Sequence, residues 1–143
     1  MFVIKGVGAS PGVSIGPAVI LPGDSFAVAR QYVEPGEAKN ELAKMKAAVD
    51  NTMRELDSCE KKVLATLGQE YAQLLSTHKL ILQDPTLHQS VRHKILDEHL
   101  SAQAAIFITL QELAASFEKI EDPFFKERRN DVFDVGKRLA KNL

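Results

Sequence analysis

Hydrophobic positions follow two different rhythms along this chain. In the first part, Phe2-Val3-Ile4 and the stretch Val13 to Leu21 are rich in branched residues and bounded by Gly8, Ser10-Pro11-Gly12 and Pro22-Gly23, which predicts short strands joined by turns. Val13, Ile15, Val19 and Leu21 share one parity, the period of a strand with one buried face. From Pro35-Gly36 onward the period becomes helical. Leu42, Met45, Val49, Met53, Leu56, Val63 and Leu67 recur mostly three or four positions apart among charged residues, predicting one long amphipathic helix that Gly68 is placed to end.

Four shorter helices follow. The first runs from about Glu70 to Leu82, with Leu74, Leu75 and Leu82 as core candidates. Asp84-Pro85 stops it and starts the next, because Asp84 can accept hydrogen bonds from free first-turn amides and Pro85 has no amide to leave unpaired. Leu87, Val91 and Ile95 carry that third helix to a break near His99-Leu100, where Ser101 can cap a fourth. Ile106, Leu110, Leu113, Phe117 and Ile120 keep a 4-3-4-3 spacing, the seam of a helix packed nearly parallel or antiparallel to another. Asp122-Pro123 repeats the Asp-Pro start, and Phe125, Val132, Val135 and Leu139 form the stripe of the fifth. The expected fold is mainly α: an antiparallel helical bundle preceded by short β-strands.

Composition narrows the function classes. The 143 residues suffice for one globular unit, and six of the eight glycines fall before residue 37, which again separates the two regimes. Eighteen Lys plus Arg against nineteen Asp plus Glu leave a net charge of -1 and no block of one sign, so no nucleic-acid partner is expected. Apolar runs such as Leu80-Ile81-Leu82 are far short of the ~20 residues a membrane span needs. A single cysteine, Cys59, excludes an internal disulfide, and the N-terminus has no signal-type segment; a cytoplasmic protein is the expectation.

Local chemistry is sparse. His88, His93 and His99 are spaced five and six apart rather than the three or four that would bring two ligands onto one helical face, so metal binding is not expected. His78, after Ser76-Thr77, has two readings: a covalent phosphate carrier, or an interface or packing residue. Its place mid-helix, with no glycine-rich turn and no carboxylate in sight to set its tautomer, favours the second. Gly6-x-Gly8-x-x-Pro11 lacks the last glycine of a dinucleotide fingerprint and precedes a strand rather than a helix. No catalytic set of residues emerges. Hydrophobicity is instead in surplus. If Leu74, Leu75 and Leu82 fill the core, Leu80 or Ile81 is left to project elsewhere from the second helix, and adjacent Phe124 and Phe125 point about 100° apart. These residues either form an exposed patch bordered by Glu70, Asp84 and Arg128, suited to a partner helix, or fill a wide core.

Three separated segments in order bear a resemblance that decides between those readings: Gly8-Ala9-Ser10-Pro11-Gly12-Val13-Ser14-Ile15-Gly16-Pro17-Ala18, then His78-Lys79-Leu80-Ile81-Leu82-Gln83-Asp84-Pro85-Thr86-Leu87, then Glu127 to Leu139 with Arg128-Arg129-Asn130-Asp131. The chain resembles, along its whole length, the N-terminal region of the phosphoenolpyruvate-protein phosphotransferases, Enzyme I of the bacterial sugar phosphotransferase system. The resemblance implies that residues 1–33 are first strands of an incomplete α/β phosphohistidine subdomain, and that residues 34–143 form a helical subdomain docking the phosphocarrier HPr. It implies HPr contacts at Glu70, His78, Leu80, Ile81, Asp84, Phe117, Phe125 and Arg128. The family's active histidine lies in a Ser-His motif with no counterpart here, so this chain is expected to recognise the carrier but not to take up phosphate. Catalytic residues, metal ligands and cofactors are not expected in this chain; magnesium and a homodimer belong to the full-length enzyme through its C-terminal domain. The nitrogen-regulatory branch, with its own HPr-like carrier, and a non-catalytic helical adaptor are the alternatives. Where the family presents several acids beside the docking helix, this chain has Gln69, Gln83, Pro85 and Thr86.

Overall fold

Helix boundaries in the computed structural model fall where capping chemistry puts them. The structure describes residues 12, 13, 15–17 and 30–143, with the side chains of Phe125 and Lys126 excepted. A 3-10 turn, Pro35–Glu37, leads into α1 (Ala38–Leu67), followed by α2 (Gln69–Gln83), α3 (Pro85–Leu96), α4 (Ala102–Glu118) and α5 (Pro123–Lys141). The chain is thus mainly helical. The strands expected over Phe2 to Ile4 and Val13 to Leu21 lie outside the described residues apart from Val13 and residues 15–17, and no strand occurs among the described ones, where a single bridge pairs Tyr32 with Leu100.

Each cap is local. The Asp84 carboxylate accepts from the Thr86 N–H at 2.7 Å, Ser101 Oγ from Ala104 N–H at 3.2 Å, and the Asp122 carboxylate from Phe124 N–H at 2.9 Å, so three helix starts each satisfy an otherwise free amide. Between α1 and α2 the chain reverses in one residue. Gly68 adopts φ 90°, ψ -179° and donates to Val63 O at 3.2 Å. That backbone region is open essentially only to glycine, so Gly68→Ala is expected to lower stability by about 1 kcal/mol in urea unfolding. An unchanged midpoint would mean the reversal tolerates another conformation.

Ion pairs give the hairpin its direction. Ser76 Oγ donates to Glu60 at 2.6 Å, while Lys79 Nζ reaches Glu60 at 2.6 Å and Asp57 at 3.0 Å, so positions advance on α2 as they retreat on α1. The hydrogen bond from Lys79, then that from Ser76, hold the Glu60 carboxyl below its usual value; the Glu60 and Asp57 acceptors hold the Lys79 ammonium above its own.

The core sits where α4 meets its neighbours. Leu56, Leu82, Val91, Ile95, Leu100, Leu110, Val132, Val135 and Leu139 are fully buried, each contributing roughly 1.5–3 kcal/mol. On α4 the expected stripe is too narrow: besides Ile106 and Leu110, Ala104, Ala105, Phe107, Thr109 and Ala114 are buried, because α1, α3 and α5 all pack against this helix. Its alanines let those neighbours approach closely. Leu74, expected in the core, is 55% exposed, while Leu75 and Leu82 take the inward positions of α2.

Two buried polar residues have no signal in the hydrophobic period. Glu41 is 5% exposed and its Oε2 accepts the Ala102 N–H at 2.7 Å, adding a distant cap to the start of α4. Thr52 is fully buried, with its hydroxyl accepting from Asn142 Nδ2 at 3.1 Å and so tying the end of α5 to α1.

Candidate docking site

The outer surface of α2 and the adjoining start of α5 carry most of the residues marked by sequence. A helix repeats every 3.6 residues, so Glu70, Leu74 and Ile81 share one side of α2, and Leu80 lies about 120° around from Leu74. Between them Thr77 and Asp84 face outward. Leu80 is 68% exposed, Leu74 is exposed as well, and Ile81 is half-buried against the core. Glu70 is exposed in the first turn of α2. Asp84 is half-buried with one carboxylate oxygen committed to the α3 cap, leaving its second oxygen for another contact.

His78 is placed differently from the other α2 residues marked by sequence. It is buried at 4% exposure, and its Nε2 lies 3.5 Å from Asp131 Oδ1 on α5. The sequence shows no carboxylate near His78; the packing of α2 on α5 brings one from far along the chain. Asp131 Oδ2 in turn lies 3.6 Å from Arg128 Nη1, and the Arg128 guanidinium stacks 4.8 Å from the centre of the Phe124 ring. Phe124, one of the two adjacent phenylalanines at the start of α5, is exposed. Phe117 is half-buried at the end of α4 and packs against the core. The Phe125 side chain lies outside the described residues.

Next to Asp84 a cleft of about 310 Å³ opens between α3 and α4, lined by Thr86, Leu87, Ser90, Thr109, Glu112, Leu113 and Ser116. Among the described residues, no group of three or more His, Cys, Asp or Glu side chains is arranged to hold a metal ion. None of the described helices is long and apolar enough to cross a membrane. The arrangement offers an apolar surface with flanking charges, suited to recognition.

The family model described as PEP-utilising enzyme, N-terminal, matches residues 5–128. The chain belongs to this family.

Among curated relatives, the phosphoenolpyruvate-protein phosphotransferases of Bacillus subtilis (strain 168) and Geobacillus stearothermophilus are 32% and 33% identical over 140 residues, which is 98% of this chain in both cases. The chain spans 24% of the length of each. A solution structure of an Enzyme I (nEIt) protein superposes with a TM-score of 0.77 at 28% identity, over 83% of this chain and 48% of the other. The N-terminal domain of a nitrogen-type Enzyme 1 shares the fold, with a TM-score of 0.73 at 21% identity over 80% of this chain and 47% of that one.

For a member of the PEP-utilising N-terminal family, the helical bundle is thus the expected frame, and α2 and α5 present exposed apolar side chains and a paired cation. Sequence reasoning missed Leu74 and Asp131 at this surface. Leu74 has a legible signal, since it stands four residues after Glu70 and seven before Ile81 and therefore on their side of α2. Asp131 has none in isolation; its role depends on which helix α5 packs against.

Proposed function

We propose that this chain is the carrier-recognising region of a phosphoenolpyruvate-protein phosphotransferase, and that the outer face of α2 with the start of α5 docks the phosphocarrier HPr. The observation that carries the reading is the exposure of Leu80 and Leu74 on α2, together with the Arg128–Phe124 pair on α5, in a bundle that belongs to this family. Leu74, Leu80 and Ile81 supply apolar area, Arg128 a directed cation, and Glu70 and Asp84 complement a basic rim on the carrier. Phe117 and Phe125 are the further carrier contacts that the resemblance implies. In this reading residues 34–143 are the docking subdomain and residues 1–33 belong to the α/β unit that carries the phosphohistidine. The whole protein would transfer the phosphoryl group of phosphoenolpyruvate to HPr in the cytoplasm as part of sugar uptake, as a homodimer using magnesium. No docking step within the bundle runs through magnesium.

Titrating isotopically labelled HPr with this chain, while following backbone amide shifts, tests the proposal. Shifts confined to the HPr surface around its own active histidine are the expected result. No shifts at millimolar concentration with a folded chain would overturn it. Stronger shifts in a nitrogen-branch carrier than in sugar-branch HPr would move the assignment to the other branch, which the nitrogen-type structural neighbour keeps in view.

A further inference from the structure

We infer that Asp131 is a positioning residue for the docking surface, holding the Arg128 guanidinium in place with the buried ring of His78 as its backing; the inference rests on the carrier-docking reading. Arginine has a long side chain with much rotamer freedom, and ordering it at the moment of binding weakens affinity. Here it is ordered beforehand from two sides. Asp131 Oδ2 lies 3.6 Å from Nη1, and the Phe124 ring lies 4.8 Å from the guanidinium carbon. The three residues follow one face of α5 at intervals of four and three, so the helix itself sets their order.

Asp131 is in turn located by α2. Its side chain is only 15% exposed, and Oδ1 lies 3.5 Å from Nε2 of His78, whose side chain is 5% exposed. Neither ring nitrogen of His78 has a hydrogen-bond partner at ordinary distance, an arrangement that native interiors avoid unless the group has a use. A neutral imidazole carries one N–H, and the Asp131 carboxylate faces Nε2 at 3.5 Å, so the proton belongs on Nε2 with Nδ1 bare. The carboxylate therefore bridges a buried ring on one helix and an exposed-edge cation on the next. This explains how a histidine that cannot reach the surface still contributes to docking: it acts through Asp131 on Arg128.

Asp131→Asn keeps the shape and removes the charge. It is expected to weaken HPr binding by about five-fold or more, and to cause no further loss in an Arg128→Ala background, since a residue that acts through Arg128 has nothing left to position. In the free protein, nitrogen correlation spectra of the His78 ring should show the Nε2–H tautomer, and Asp131→Asn should shift both that ring and the Arg128 Nε–H signal. Wild-type affinity in Asp131→Asn, losses that add to those of Arg128→Ala, or unmoved ring and guanidinium signals would each overturn the assignment. Failure of the folded wild-type chain to bind HPr would instead sink the docking reading, and the two side-chain signals would then decide whether Asp131 holds Arg128.

Discussion

Replacing Leu80 with lysine is expected to weaken HPr binding by about 30-fold, close to 2 kcal/mol, without lowering the stability of the bundle. Among the described residues of the helices Leu80 is the most exposed large apolar side chain, so its removal opens no cavity. The loss arises on the partner's side. A lysine there must be desolvated beneath an apolar contact surface, and its charge meets the basic rim of the carrier. Leu80→Ala, which removes area without adding charge, should cost less. Calorimetric titration paired with a thermal melt checks both variants; wild-type affinity in a folded Leu80→Lys chain would remove Leu80 from the site. Because core residues Leu75 and Leu82 lie on the opposite side of α2, the same substitution at either would instead unfold the bundle.

A second large effect is expected far from that surface. Glu41→Ala should destabilise the chain by about 2 kcal/mol, because it leaves the Ala102 amide buried without an acceptor and strips α4 of a charged cap. Burial acts to raise the Glu41 carboxyl above its ordinary value of 4.5, but the Ala102 N–H bond, the Lys44 hydrogen bond and the Lys44 charge together outweigh it, and the group is held lower in the folded state. Lys44 Nζ lies 2.6 Å from Oε1, so both carboxylate oxygens are engaged. The sign of the pH effect follows. A carboxyl depressed by folding contributes stability that is complete above its unfolded value and disappears as pH falls through its folded value. The stability difference between wild type and Glu41→Ala should therefore be constant near neutrality and shrink below about pH 4.5. Urea midpoints across that range measure it, and a gap that widens in acid would show that the carboxylate is not what caps α4.

The comparison between sequence and structure is sharpest at helix ends. Asp84, Ser101 and Asp122 each bond an amide two or three residues ahead, and Gly68 reverses the chain by its own backbone freedom. Such features need only neighbours in sequence, so spacing and residue type reveal them. The surplus of apolar residues on α2 and at the start of α5 was equally legible, and the structure leaves Leu80 and Phe124 of that surplus exposed. Leu74 shows the limit of that reasoning. A helix with apolar residues on several sides does not say which side its neighbours cover, and α2 turns Leu75 and Leu82 inward instead.

By itself, the sequence determined the number and order of the helices, their caps, the long first hairpin and the family to which the chain belongs. Tertiary structure alone decided that a glutamate from α1 caps α4, that Thr52 is buried against the end of α5, and that His78 faces Asp131 rather than solvent. Helix period and caps are set by interactions within a few residues, whereas those three contacts join side chains from helices that become neighbours only when the bundle closes.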